Sequence, residues 1–197
     1  MKYNVSCMFM GSVFKSMTKK EVKDHVTLKR ITDEYKSIVK RAKDIGKNNT
    51  LLSSYLLAAY FIALCRNSGL SVEANYHILE SGFKENKLVK KFLGNEKSYF
   101  SKKHNEKRRK WSKLTHMHQY ENDWVVDFLE KTSEYEFGFN YLECGVCKLC
   151  KDENCFELAS YLCKLDYLLV DLVGVKLTRT KTLAGGDDCC DFRFNRR

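Results

Sequence analysis

The spacing of apolar residues changes near His118, and this change constrains the fold more than any other feature of the chain. Across residues 18–43, apolar side chains recur at the spacing of one face of an amphipathic helix. Beyond His118, apolar and polar residues alternate across 124–129 and again across 135–141, which is typical of half-buried β-strands. The sequence therefore predicts an α+β fold, helical over about 1–118 and sheet-bearing over about 119–197.

The sheet-bearing part predicts the order strand, strand, helix, strand, strand. Residues 131–134 join the first two strands as an antiparallel hairpin, and a helix runs from about 155 to 173 before Gly174 ends it. Two further strands, 175–183 and 189–194, flank the turn sequence AGGDD. Because such a sheet needs helices to cover its apolar face, we expect the whole chain, 1–197, to form a single domain.

The most apolar segment, residues 51–65, is too short for a membrane span and contains two serines. It is typical of a buried core helix. Residues 1–14 lack the sustained apolar region and the cleavage pattern of a secretory signal. We therefore expect a cytoplasmic protein with no membrane partner.

The net charge of +10 raises the question of a nucleic-acid partner. The positive excess lies in the first 115 residues, and its densest run is KKHNEKRRK at residues 102–110. A charged run without a nucleic-acid-binding motif is typical of a solvated helix face. We therefore expect no nucleic-acid partner.

Asp166 falls within the apolar arc of the predicted late helix, with Cys163 nearly one turn earlier. A carboxylate there needs a partner, a metal ion or a bound proton, because burial of a lone charge is costly. Arg179 alternates onto the apolar face of the next predicted strand, so its guanidinium could pair with Asp166 or with a substrate carboxylate. A structural salt bridge and a functional pocket are both compatible with this pattern.

The final predicted strand has two different faces. Cys190 shares one face with Phe192 and Phe194, and the paired aromatic residues make this the core side. Asp191 and Arg193 lie on the second face unless a bulge at the double cysteine changes the register.

Five of the nine cysteines fall within residues 144–163, with the spacing C-x2-C-x2-C-x4-C-x7-C. Two consecutive C-x2-C steps allow thiolate ligation of zinc or of an iron–sulfur cluster. The alternative is that Cys147, Cys150 and Cys155 are incidental residues of a short linking turn.

Two stretches of the C-terminal part resemble a known enzyme family. FGFNYLECGVCKLC places Cys144 after an aromatic strand. LCKLDYLLVDLVGVKLTRTKTLAGGDDCCDFRF supplies a helix with Cys163 and Asp166, a turn R-x-x-T-L-A-x-G from Arg179, and a closing C-D-F-R-F from Cys190. Over roughly the last 75 residues this arrangement is similar to the L-2-amino-thiazoline-4-carboxylic acid hydrolase family. The resemblance does not extend to four further cysteines, Cys147, Cys150, Cys155 and Cys189.

The resemblance implies hydrolysis of a small cyclic amidine. Water would add to the ring carbon of 2-amino-thiazoline-4-carboxylate, the carbon–sulfur bond would open, and N-carbamoyl-L-cysteine would form. Arg179 or Arg193 would bind the substrate carboxylate, and Asp166 or Asp191 would act first as general base and then as general acid. Cys190 is an alternative covalent nucleophile, provided that a neighbouring cation lowers its pKa.

Two other hypotheses remain, one from a looser similarity to 4-vinyl-reductase-type ligand-binding domains and one from the cysteine spacing. In those domains cysteines and an acid can hold zinc, and a small ligand binds without being turned over. Here Cys144, Cys163 and Cys190 would bind zinc, with Asp166 as fourth ligand or as support for the ligands. A non-catalytic sensor is therefore the second hypothesis, and an iron–sulfur redox protein is the third.

Overall fold

A computed structural model describes residues 1–45, 51–86, 91 and 93–197. The described helices of the N-terminal part are α1 (Val5–Thr18), α2 (His25–Arg41), α3 (Leu52–Asn67), α4 (Val72–Glu85), α5 (Glu96–Tyr99) and α6 (Lys102–Thr115). The sheet-bearing part consists of β1 (Val125–Leu129), β2 (Phe137–Glu143), α7 (Gly145–Asp152), α8 (Leu158–Asp171), β3 (Val175–Thr178) and β4 (Cys190–Arg196). This order confirms the predicted α+β class.

Helix α3 lies at the centre of the helical part. Every residue from Tyr55 to Leu64 is buried, so the helix is apolar on all sides, and α1, α2, α4 and α7 pack around it. The predicted core helix over 51–65 is thereby confirmed. In the part of the chain that the structure describes, no helix combines the length and the apolar character that a membrane span requires.

Helix α2 begins later than the apolar spacing predicts. The carboxylate of Asp24 accepts hydrogen bonds from the N–H groups of Val26 and Thr27, at 3.3 and 2.8 Å, and so caps the first turn. Residues 19–24 therefore separate two helices, and the amphipathic face is limited to residues 25–41.

The four strands form one antiparallel sheet in the order β1-β2-β4-β3. Both predicted hairpins are confirmed, because β1 pairs with β2 and β3 pairs with β4. Strand β4 also pairs with β2, which places Phe194 opposite Phe137 with their ring centroids 4.8 Å apart, and Cys190 opposite Tyr141. The face of β4 that carries Cys190 and Phe194 is buried, as predicted.

The third strand is shorter than predicted. It ends at Thr178 and not at residue 183, because Asp191 offers the backbone another partner. The Asp191 carboxylate accepts the N–H groups of Thr180 and Lys181 at 2.8 and 2.6 Å. The chain then forms the 3₁₀ turn Leu183–Gly185 instead of continuing the ladder with β4.

The cysteine-rich stretch after β2 is a helix, so its interpretation as a short linking turn is wrong. Cys147 and Cys150 lie on the buried side of α7. Cys155 follows α7, and its N–H donates to the carbonyl oxygen of Cys150 at 2.9 Å. These three thiols therefore contribute to the core between α3, α7 and α8.

Gly145 begins α7 at a position without room for a side chain. A Cβ atom there would lie 2.5 Å from the carbonyl oxygen of Asn122 and 2.9 Å from the ring of Trp124, both of which are buried. We expect Gly145→Ala to lower the free energy of unfolding by about 1–3 kcal/mol, because the backbone must shift to relieve the overlap. Denaturant unfolding followed by tryptophan fluorescence measures this loss. An unchanged midpoint would contradict the close packing.

The basic run lies on α6. The Arg108 guanidinium packs over the rings of Tyr99 and Phe137, at 4.4 and 4.5 Å from their centroids, and Arg109 pairs with Glu130 at 2.6 Å. Part of the run therefore supports the fold. That the chain has no nucleic-acid partner stays a prediction.

Candidate functional site

A cavity of about 100 Å³ lies between α3, α8, the beginning of α7 and the strands β2 and β4. This volume is of the same order as the ~150 Å³ cavity that holds one benzene ring, so a ligand with one small ring is the appropriate size. Most of the wall is apolar. The polar side chains in the wall are those of Ser54, Tyr141, Cys144, Cys163, Asp166, Arg179 and Cys190.

Asp166 projects from α8 into this cavity and pairs with Arg179, the partner that the sequence predicts. Nη1 of Arg179 donates to Oδ2 of Asp166 at 2.7 Å, and no described residue donates a hydrogen bond to Oδ1. Although 37% of the Asp166 side chain is exposed, it borders the cavity, where protein atoms replace much of the bulk water. Burial therefore outweighs the attraction of Arg179 and raises the pKa of Asp166 to about 6.

Arg179 is held from several sides and is only 5% exposed. Its Nη2 donates to the carbonyl oxygen of Cys163 on α8 at 3.0 Å. Its guanidinium also lies against the rings of Tyr167 and Phe192, at 5.0 and 4.9 Å from their centroids. The ion pair is therefore fixed in place before any ligand binds.

The three thiols of the cavity differ in acidity. Burial raises the pKa of Cys190 to about 11 and also raises the pKa of Cys163. The pKa of Cys144 is lowered, first by a hydrogen bond from the Cys147 thiol and then by the amides of Cys147 and Val146 at the start of α7. Both amides belong to the first turn of α7, which begins at Gly145.

Cys144 therefore differs from Cys190, the nucleophile that the resemblance suggests, because its pKa is lowered whereas the pKa of Cys190 is raised. The sequence gives no indication that Cys144 immediately precedes a helix, whose first amides contribute to the lowered pKa. Tyr141 also lines the cavity, although the sequence does not distinguish it as a site residue. The period-two spacing places Tyr141 on one strand face with Phe137 and Phe139, and this spacing is the only feature of the sequence that indicates its inward position.

Two predicted site residues lie outside the cavity wall. Asp191 accepts hydrogen bonds from the Thr180 hydroxyl at 2.6 Å and from two backbone N–H groups, and it thereby fixes the chain after β3. Arg193 donates to the carbonyl oxygens of Phe139 and Phe192 and to Oδ1 of Asn140, at 2.9–3.1 Å. Both alternate away from Cys190 along β4, so the structure does not bring them to Asp166.

Metal binding requires ligands grouped around one point. Among the described residues, no three His, Cys, Asp or Glu side chains are grouped in a way that could hold a metal ion. Cys144, Cys163, Cys190 and Asp166 share the cavity wall, but in this arrangement they do not fit a zinc centre. Whether the protein carries zinc or an iron–sulfur cluster stays a prediction that metal analysis of the purified protein can test.

Comparison with known proteins gives one match. A family model described as L-2-amino-thiazoline-4-carboxylic acid hydrolase matches residues 51–194. The match spans the whole cavity wall and includes α3, so it reaches well beyond the C-terminal motifs that carry the resemblance in the sequence. No curated protein and no solved structure matches the chain.

Proposed function

The chain belongs to the L-2-amino-thiazoline-4-carboxylic acid hydrolase family, and from this premise we propose that its cavity hydrolyses a small cyclic amidine that carries a carboxylate. One observation supports this proposal above all others. Asp166, with a pKa of about 6, shares a cavity of single-ring size with a fixed arginine. A carboxyl group with such a pKa can both accept and return a proton near neutral pH.

Asp166 is the general base in the proposed reaction. Its carboxylate takes a proton from water as the water oxygen bonds to the ring carbon between nitrogen and sulfur. The carbon–sulfur bond then breaks, protonated Asp166 returns the proton to the leaving sulfur, and the proton of the added hydroxyl passes to the ring nitrogen as the urea carbonyl forms. The product of 2-amino-thiazoline-4-carboxylate is N-carbamoyl-cysteine, which contains all atoms of the substrate and of one water molecule.

Arg179 positions Asp166 and binds the substrate carboxylate. A guanidinium carries five N–H donors, and two nitrogens of Arg179 are engaged, Nη1 with Asp166 and Nη2 with the Cys163 carbonyl oxygen. Its remaining donors offer a carboxylate of the ligand a charge-assisted contact at the cavity wall. This placement orients the ring with its reacting carbon towards Asp166.

Incubation of the purified protein with 2-amino-thiazoline-4-carboxylate tests the proposal, with the ring-opened product measured by chromatography. Product formation that depends on Asp166 supports a hydrolase. Binding in calorimetry without product would instead support the non-catalytic sensor. The absence of both binding and product formation would refute this substrate class for the cavity.

The pH dependence of turnover follows from the raised pKa of Asp166. A general base must be ionised, so kcat/KM is expected to be constant above about pH 6 and to fall roughly tenfold per pH unit below it. An Asp with its ordinary pKa of about 4 would keep full activity down to about pH 5. Initial rates across this range, with the fold checked by circular dichroism at each pH, distinguish the two profiles.

A further inference from the structure

Cys144 and Cys147 form a C-x-x-C pair at the beginning of α7, and the hydrolysis proposed above uses neither. Cys144 immediately precedes the helix and lines the cavity. Cys147 lies three residues later, in the first turn of the same helix, and is buried to 7% exposure. The pair thus combines one thiol that a cavity ligand can reach with a second thiol packed directly behind it.

We propose that Cys144 and Cys147 form a thiol–disulfide exchange site whose substrates are small organic disulfides that enter the cavity. The helix terminus that begins at Gly145 favours the thiolate of Cys144, which is the attacking form. Interaction with Cys144, together with burial, raises the pKa of Cys147, so this thiol stays protonated until Cys144 has reacted. This division into an attacking and a resolving cysteine does not depend on the proposed hydrolysis.

The geometry selects Cys147 as the resolving cysteine. Cys163 on α8 and Cys190 on β4 also line the cavity, but they belong to other elements, whereas Cys147 lies in the first turn of the helix that Cys144 immediately precedes. Gly145 lets α7 approach Asn122 and Trp124 closely, which fixes this thiol pair against the cavity wall.

The exchange proceeds in two balanced steps. The Cys144 thiolate attacks one sulfur of a disulfide RSSR, so that a Cys144–SR mixed disulfide forms and RS⁻ leaves. Cys147 then loses its proton and attacks the Cys144 sulfur, which forms the Cys144–Cys147 disulfide and releases the second RS⁻. Two electrons pass from the cysteine pair to the small disulfide, and the released thiolates take up protons according to their own pKa values.

Treatment of the reduced full-length protein with bis(2-hydroxyethyl) disulfide tests the proposal. The expected product has lost two of its nine thiols, weighs about 2 Da less than the reduced protein, and carries a 144–147 disulfide in peptide mapping. Cys144 is expected to react at least roughly tenfold faster than Cys189, whose pKa is raised by burial and by Asp188. None of these readouts involves the amidine substrate, so failure here is distinguishable from failure of the proposed hydrolysis.

Three variants complete the test. Cys147→Ser should stop at a stable mixed disulfide on Cys144, Cys144→Ser should not form the 144–147 product, and Cys189→Ser should behave as the wild type. Circular dichroism verifies the fold of each variant. If a variant unfolds, alkylation of the wild-type protein with iodoacetamide still measures the rate at which Cys144 reacts. A mixed disulfide that persists in the wild type, a disulfide between other cysteines, or slower alkylation of Cys144 than of Cys189 would overturn the proposal.

Discussion

Asp166→Asn is expected to lower kcat for hydrolysis of 2-amino-thiazoline-4-carboxylate by roughly 100-fold to 10,000-fold, the range typical of a lost general acid–base group. The amide has nearly the same shape and keeps an oxygen that can accept the 2.7 Å hydrogen bond from Arg179. It cannot take a proton from water. KM should therefore change little while kcat collapses, and initial rates over a range of substrate concentrations measure both.

Asp171→Asn is the matched control for this variant. Asp171 lies at the end of the same helix, is 53% exposed and pairs with Arg197, so its replacement should leave kcat within about twofold of the wild type. An Asp166→Asn protein with wild-type kcat would remove Asp166 from the mechanism. A similar loss in both variants would point to damage of α8 and not to lost chemistry.

Arg179→Met is expected to have the largest effect on stability among the site variants. The change leaves the Asp166 carboxylate without its partner, and breaking a fully buried pair costs about 3–5 kcal/mol. Because 37% of the Asp166 side chain is exposed, we expect a smaller loss of about 1–3 kcal/mol near neutral pH. Chemical denaturation of the variant and the wild type measures the difference.

The loss in Arg179→Met should depend on pH with a definite sign. Without the guanidinium, the folded-state pKa of Asp166 rises further above its value in the unfolded chain. A carboxyl group with a raised folded-state pKa does not affect the free energy of unfolding at a pH where it is protonated in both the folded and the unfolded chain. It lowers the free energy of unfolding progressively as the pH rises from about 4 through the folded-state pKa. Destabilisation should therefore be smaller at about pH 5 than at about pH 8.

Two further proteins control this experiment. Asp166→Asn combined with Arg179→Met removes both members of the pair and should recover part of the lost stability, since no charge is then left unpaired. Arg109→Met removes a guanidinium from an exposed pair with Glu130 and should cost much less. A double variant less stable than Arg179→Met would show that Asp166 is not the source of the loss.

The strand pattern and the pair formed by Asp166 and Arg179 can both be predicted from the sequence. Alternation identifies the buried face of β4 because Cys190, Phe192 and Phe194 differ clearly from Asp191 and Arg193. Asp166 stands out for the same reason, as the carboxylate within an apolar helix face. Both predictions succeed because charged residues stand next to apolar ones within a few positions of the chain.

The properties of Cys144 and of the chain after β3 depend on contacts between distant residues. Helix α7 has only eight residues and little local signal of its own, and it is stabilised by packing against α3. The end of β3 depends on Asp191, eleven residues after Thr180. Spacing along the chain cannot predict either contact, so the helix that begins after Cys144 was missed and β3 was predicted too long.

The sheet order has a consequence for the order of folding. Strand β4 is the last strand in the chain, yet it lies between β2 and β3 and supplies Cys190 to the cavity. Helices α1 to α4 pack on one another without it and can assemble while synthesis continues. The cavity, in contrast, cannot close until residues 190–196 have emerged from the ribosome, so a nascent chain stalled upstream of Cys190 would retain a helical core but have no complete cavity.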